Sequence, residues 1–248
     1  MYPTRFNLHS IPRGTAAAAV LAASLTVATA TAAGAATGRA SSAAPTGPLT
    51  AAQLQAALPT GTDIPGYTFL PAEDSSAMMT VPDTVTTGGA DCQKFLDATE
   101  GLTTTYGTVG EASRTMHQAS GLQMIVVSVL TFRTPDAATT ALTDGRAGLA
   151  GCTTLTGTSG GSPIAGTIGP IPQLATATDR FGYAAYLTAG GVAVLMAAEE
   201  VQVGSTIVEV ALIGSQTQDT TTLHAMGTTL SDTIDAVTAK MGTTSGTT

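Results

Sequence analysis

Apolar residues recur along this chain in two rhythms. The stretch MIVVSVLTF (124–132) is apolar on both parities, the pattern of a strand covered on both faces near the middle of a sheet. Three further runs, 181–188, 192–203 and 206–213, are separated by Gly190-Gly191 and Gly204-Ser205. Two-residue turns of this composition match the twist of antiparallel strands, so these runs predict a meander. The helical rhythm is clearest near the C-terminus, where Leu223, Met226, Leu230, Ile234 and Val237 recur at spacings of three and four. That spacing places them on one face of a helix over 219–240.

Capping chemistry marks the other helices. Thr134-Pro135-Asp136 reads as cap, first helical position and first-turn acid of a helix that continues to about Leu149 and stops at Gly151. Thr50 caps a short helix with Leu54 and Leu58 four apart, ended by Pro59 and Gly61. Asp91 opens another that carries Cys92, Phe95 and Leu96. From Pro59 to Gly89, turn residues surround the short apolar run 67–70, which predicts loop and a short strand. The Gly-, Ser-, Thr- and Pro-rich stretch 156–172 reads as an exposed loop. The order of these elements predicts an α+β fold: one domain over 49–240, an antiparallel meander with helices packed on one face. No internal repeat of 20 to 50 residues is visible.

The N-terminus has a different composition. Arg5 and Arg13, then an uncharged Ala/Val/Leu stretch over 15–30, then Ala30-Thr31-Ala32 or Ala33-Gly34-Ala35, are the three parts of a secretory signal peptide over 1–35. Cleavage is expected near residue 33 or 36. The alternative is an uncleaved anchor, since no charge occurs between Arg13 and Arg39, but Ala, Gly and Thr contribute little drive for insertion. No Cys lies near the cleavage site, which argues against lipidation. Residues 36–48 predict a disordered linker and 241–248 a disordered low-complexity tail. The expected location is extracellular, with any membrane contact only through an uncleaved leader, and at most a loose association with the cell envelope.

Composition agrees with export. Of 248 residues, 43% are apolar and 10% charged, with a net charge of −8. Losing Arg5 and Arg13 would leave seven of the nine basic residues against seventeen acidic ones, a net of −10. Nucleic acid and anionic lipid are thereby excluded as partners. The two cysteines, Cys92 and Cys152, form an even pair in an oxidising compartment and so predict a disulfide. Closing a loop of about 60 residues would contribute roughly 4 kcal/mol in the chain-entropy description.

Candidate chemistry is sparse. Gly157-Thr158-Ser159-Gly160-Gly161 matches the G-x-S-x-G nucleophile pattern, but the buried strand and following helix that the motif needs are not predicted there. His117 and His224 are the histidines downstream of the leader. They lack metal-ligand spacing, so no metal, cofactor or catalytic residue is expected. The hairpin turn at Gly204-Ser205 sets a register in which Glu200 faces Glu209. Like charges directly opposite are destabilising, so the pair must be well solvated, the favoured arrangement, or hold a cation or donor as a weak ligand site. The same register puts Glu199 on the apolar face, either at its rim or beside a bulge.

The order of these features resembles the PknH-like extracellular sensor domain family. The resemblance is carried by the LTAAQLQAALP helix (49–59), Asp91-Cys92 opening a helix, FRTPDAATTAL (132–142), Gly151-Cys152, the meander and the amphipathic last helix. It implies a non-enzymatic α+β domain of the bacterial cell envelope whose sheet and helices frame a cleft for an extracytoplasmic ligand. This chain has two cysteines where the best-known members have four, and neither a kinase domain nor a lipobox. Signalling is therefore expected to pass through a separate partner. The functional expectation is a secreted sensor-like or ligand-binding domain, whose partner is an extracytoplasmic small molecule or an envelope protein. The alternatives are a secreted serine hydrolase using Ser159, or a structural surface protein.

Overall fold

The computed structural model describes residues 47–61, 63–69, 84–87, 89–99, 105–119, 123–159, 162–171, 174, 179–189, 192–214 and 219–244. The signal-peptide assignment, most of the linker and the end of the tail lie outside these residues.

Helix starts follow the capping residues. Helix α1 (Ala51–Ala57) opens on a capping box in which the Thr50 hydroxyl accepts from Gln53 N–H and the Gln53 side chain accepts from Thr50 N–H. Helix α2 (Ala90–Thr99) has Asp91 in its first turn. Helix α3 (Pro135–Gly151) is capped by Thr134 and ends on Cys152. Helix α4 (Thr220–Thr244) begins where the Asp219 carboxylate accepts from Thr222 N–H at 2.8 Å, and it runs four residues past the expected end.

Nine strands are described: β1 (Tyr67–Phe69), β2 (Thr84–Thr87), β3 (Thr108–Gln118), β4 (Gln123–Phe132), β5 (Thr154–Ser159), β6 (Ser162–Pro170), β7 (Arg180–Ala189), β8 (Val192–Val203) and β9 (Thr206–Gly214). They form one antiparallel sheet in the order β1-β3-β4-β9-β8-β7-β6-β5-β2. From β5 to β9 the chain is an unbroken meander, and β9 closes against β4. The expected exposed loop at 156–172 is instead largely the β5–β6 hairpin. Its ladder is built mainly from Thr, Gly, Ala and Ser positions, with Leu155, Ile164 and Ile168 as buried side chains, so the apolar alternation was too thin to register as strand.

The α+β class and the antiparallel meander are as expected, but the helices divide between the two faces of the sheet rather than packing on one. Helices α1 and α4 cover Val127, Val129, Val208, Val210 and Leu212, using Leu54, Leu230, Ile234 and Val237. Helices α2 and α3 cover Val126, Leu130, Ile207 and Ala211, using Phe95, Leu142 and Leu149. The physical reason lies in β4 and β9: a strand apolar on both parities has two faces to remove from water, and one helical layer covers only one.

On the second face α2 lies directly against α3. A Cβ at Gly148 would sit 2.4 Å from the Phe95 amide nitrogen, so only glycine permits this approach. The Cys92–Cys152 disulfide, with Cα atoms 4.6 Å apart, joins the start of α2 to the end of α3. Lys94 and Asp144 add an ion pair at 3.0 Å between the same helices. No helix among the described residues is long and apolar enough to cross a membrane.

Candidate functional site

The β8–β9 register places Glu200 opposite Glu209, with Val203 opposite Thr206 at the turn. The same row continues across the sheet: Ser113 faces Ser128, Ser128 faces Glu209, and Glu200 faces Phe181. A polar row therefore crosses a largely apolar part of this face. Leu130 and Ile207 lie on one side of it, and Val126, Ala211 and Ala198 on the other.

The pair is not solvated in the way the sequence favoured. Glu200 is 1% exposed, and its Oε1 is buried without a hydrogen-bond partner, while Glu209 is half-buried. Helix α3 is what covers Glu200. Two residues along β8 on the same face, the Gln202 amide donates to Pro135 O at 3.1 Å and to Thr139 Oγ1 at 3.0 Å. On the neighbouring strand, Gly145 of α3 lies over the Phe181 ring. Glu200 sits between these two anchor points, beneath the N-terminal half of the helix.

Burial dominates the electrostatics. It pushes the Glu200 carboxyl well above the usual carboxylate range, and the facing Glu209 adds to this. Glu209 is pushed up to about 7 by burial and then by the charge of Glu111 on β3. Glu111 is an exposed residue of β3 whose own carboxyl is raised by partial desolvation. The row thus offers carboxyl and hydroxyl oxygens that can accept hydrogen bonds or hold a proton. Among the described residues no group of three or more His, Cys, Asp or Glu side chains could hold a metal ion.

Glu199 points to the other face, and the ladder through it is continuous, so no bulge relieves it. It is fully buried rather than at a rim. It accepts from Arg180 Nη1 at 3.2 Å and from Ser231 Oγ of α4 at 3.0 Å. Burial raises its pKa against the pull of Ser231 and Arg180. Arg180, missed as a partner, was findable: the β7–β8 register sets it opposite Val201, on the face of Glu199.

The remaining candidates are dispersed. Ser159 ends β5 and pairs with Ser162, so a strand follows it where a nucleophile elbow needs a helix. His117 lies on β3, six strands from β5 in the sheet order, roughly 25–30 Å away at the usual strand spacing. His224 is an exposed residue of α4. Cys92 and Cys152 are joined as expected.

No family model matches the chain, and no curated protein does. Among solved structures, the crystal structure of the extracellular domain of PknH from Mycobacterium tuberculosis superposes with a TM-score of 0.54 at 16% identity. The match covers 79% of this chain and all of that one. This chain has the fold of the PknH extracellular domain. The resemblance read from the sequence is borne out at that level, and the whole PknH extracellular unit is represented in the matched region.

Proposed function

We propose that this chain is an extracytoplasmic, non-catalytic sensor-like domain that receives a ligand on the α2/α3 face of its sheet, at the row formed by Glu200 and Glu209. The observation that carries this reading is the complete coverage of the PknH extracellular domain by this fold. The buried carboxyl row supports the choice of face, because uncompensated polar groups under a helix cost stability and are retained where they serve a site. A leader-like N-terminus and a disulfide agree with an oxidising compartment outside the cytoplasm.

Native mass spectrometry of the protein secreted by its own host, compared with a Glu200→Gln/Glu209→Gln variant, tests the reading. A co-purifying small molecule lost from the variant supports it. Retention of the same molecule by the variant moves the site elsewhere, and hydrolysis of ester substrates abolished by Ser159→Ala would replace the reading with the hydrolase.

A further inference from the structure

We propose that the Glu200–Glu209 pair is a proton-sensitive latch beneath α3: a shared proton keeps the N-terminal half of that helix seated on the sheet, and loss of the proton loosens it. The inference rests on the sensor reading above and supplies acidity as the regulating signal of the same site.

Geometry carries the argument. Directly opposed residues on antiparallel strands have Cβ atoms about 4.5–5.5 Å apart, and this pair lies in the sheet under a covering helix. Two ionised carboxylates held so closely in a poorly hydrated place repel strongly, so one retains its proton. The protonated carboxyl then donates to its neighbour, which supplies the hydrogen bond that Glu200 Oε1 otherwise lacks. On deprotonation the proton leaves to solvent past Glu209, the more exposed of the two. Two buried negative charges remain, and water is drawn in to solvate them.

Among the described residues, no cation lies beside the pair to absorb that charge. On β3, Glu111 adds a third carboxyl. Ser128 of β4 and Phe181 of β7 stand level with the pair and are neutral. The buried side of α3 over it consists of Ala138, Ala141, Leu142 and Gly145. Asp144 of α3 is engaged by Lys94 and Tyr106, and Arg146 donates to the Arg180 carbonyl. The Arg180 side chain lies on the opposite face with Glu199, and Arg133, just before α3, is exposed.

The fold also determines which end of α3 yields. Its C-terminal end is bonded to α2 through Cys92–Cys152 and packed at Gly148, whereas its N-terminal end is seated through Gln202 and small side chains.

Hydrogen exchange of the full secreted chain at about pH 5 and about pH 8, corrected for intrinsic exchange, tests the latch. Each proton released should raise the opening constant at 138–142 by at most about tenfold per pH unit, while α4 stays unchanged. In Glu200→Gln/Glu209→Gln this dependence should vanish. Should the double variant not fold, Glu209→Gln alone, at a partly exposed position, should still reduce it. Equal pH dependence in wild type and variant, or equal protection of α3 at both pH values, overturns the proposal. Carboxyl carbon NMR gives a separate readout: the Glu200 midpoint should fall when Glu209 becomes Gln, and an unmoved midpoint counts against a shared proton. Ligand capture that is indifferent to pH would overturn the latch and leave the sensor reading standing. A working latch in a protein that captures nothing would do the reverse.

Discussion

At the scale of single residues, the unusual feature is two adjacent glutamates, Glu199 and Glu200, both buried and on opposite faces of one strand. Alternation along β8 gives each a different solution. Glu199 meets a cation and a hydroxyl, whereas Glu200 meets another carboxyl. Replacing Arg180 by Leu leaves Glu199 in the core without its counter-charge, and urea unfolding should show a loss of about 3 kcal/mol. Glu199→Gln in the same background should recover part of that loss, since a neutral amide needs no counter-ion. Both behaviours were partly legible beforehand. The turn at Gly204-Ser205 sets the Glu200–Glu209 pairing correctly from sequence, because side chains in a strand alternate with a period of two. Whether water reaches the pair was not legible, since that depends on where α3 crosses the sheet.

Elements are joined here by close backbone approach as much as by large side chains. Helix α3 has the small residues Gly145 and Gly148 on its inner side, the latter against the α2 backbone at Phe95. Gly148→Ala should push α2 away and cost about 1–3 kcal/mol by overpacking, visible as a lowered midpoint in thermal unfolding. Replacing both Cys92 and Cys152 by Ser should cost about 2–5 kcal/mol and release the same helix pair. Limited proteolysis should then find cleavage in α2 before any in α4, which packs on the other face. Helix boundaries were readable because caps are local: Thr50, Thr134 and Asp219 each bond backbone groups within three residues. The β5–β6 hairpin was not readable, because its pairing, not its side chains, makes it a strand.

For the whole molecule, two sets of titrating groups on opposite faces predict a stability maximum in mildly acidic solution. Burial works against the Asp63 carboxyl, but hydrogen bonds from Lys240 of α4 and from Thr60 outweigh it and hold the pKa down to about 2 from 3.8. Its folded value is depressed, so its contribution is present above about pH 4 and lost as pH falls through 2. With this pair partly exposed, the contribution is roughly 1 kcal/mol. The Glu200–Glu209 pair has the opposite sign. Both folded values are raised, so the native state binds more protons than the unfolded chain, and stability falls as pH rises from 4.5 through about 7, where Glu209 titrates, and further as Glu200 ionises. Thermal midpoints measured across pH should peak near about pH 4–5. Asp63→Asn should flatten the acid limb alone, and Glu200→Gln the other.

The sequence by itself determined what is local or periodic: the helix starts, the strand register through the turn at Gly204-Ser205, and the amphipathic face of α4. It also supplied both cysteines of the disulfide and a resemblance that the fold bears out. Tertiary structure alone decided that helices cover both faces of the sheet, that Arg180 answers Glu199, and that Glu200 lies under α3. The division has one physical cause. Caps, turns and alternation act over a few residues, whereas the burial that raises a carboxyl's pKa depends on which distant segment excludes its water.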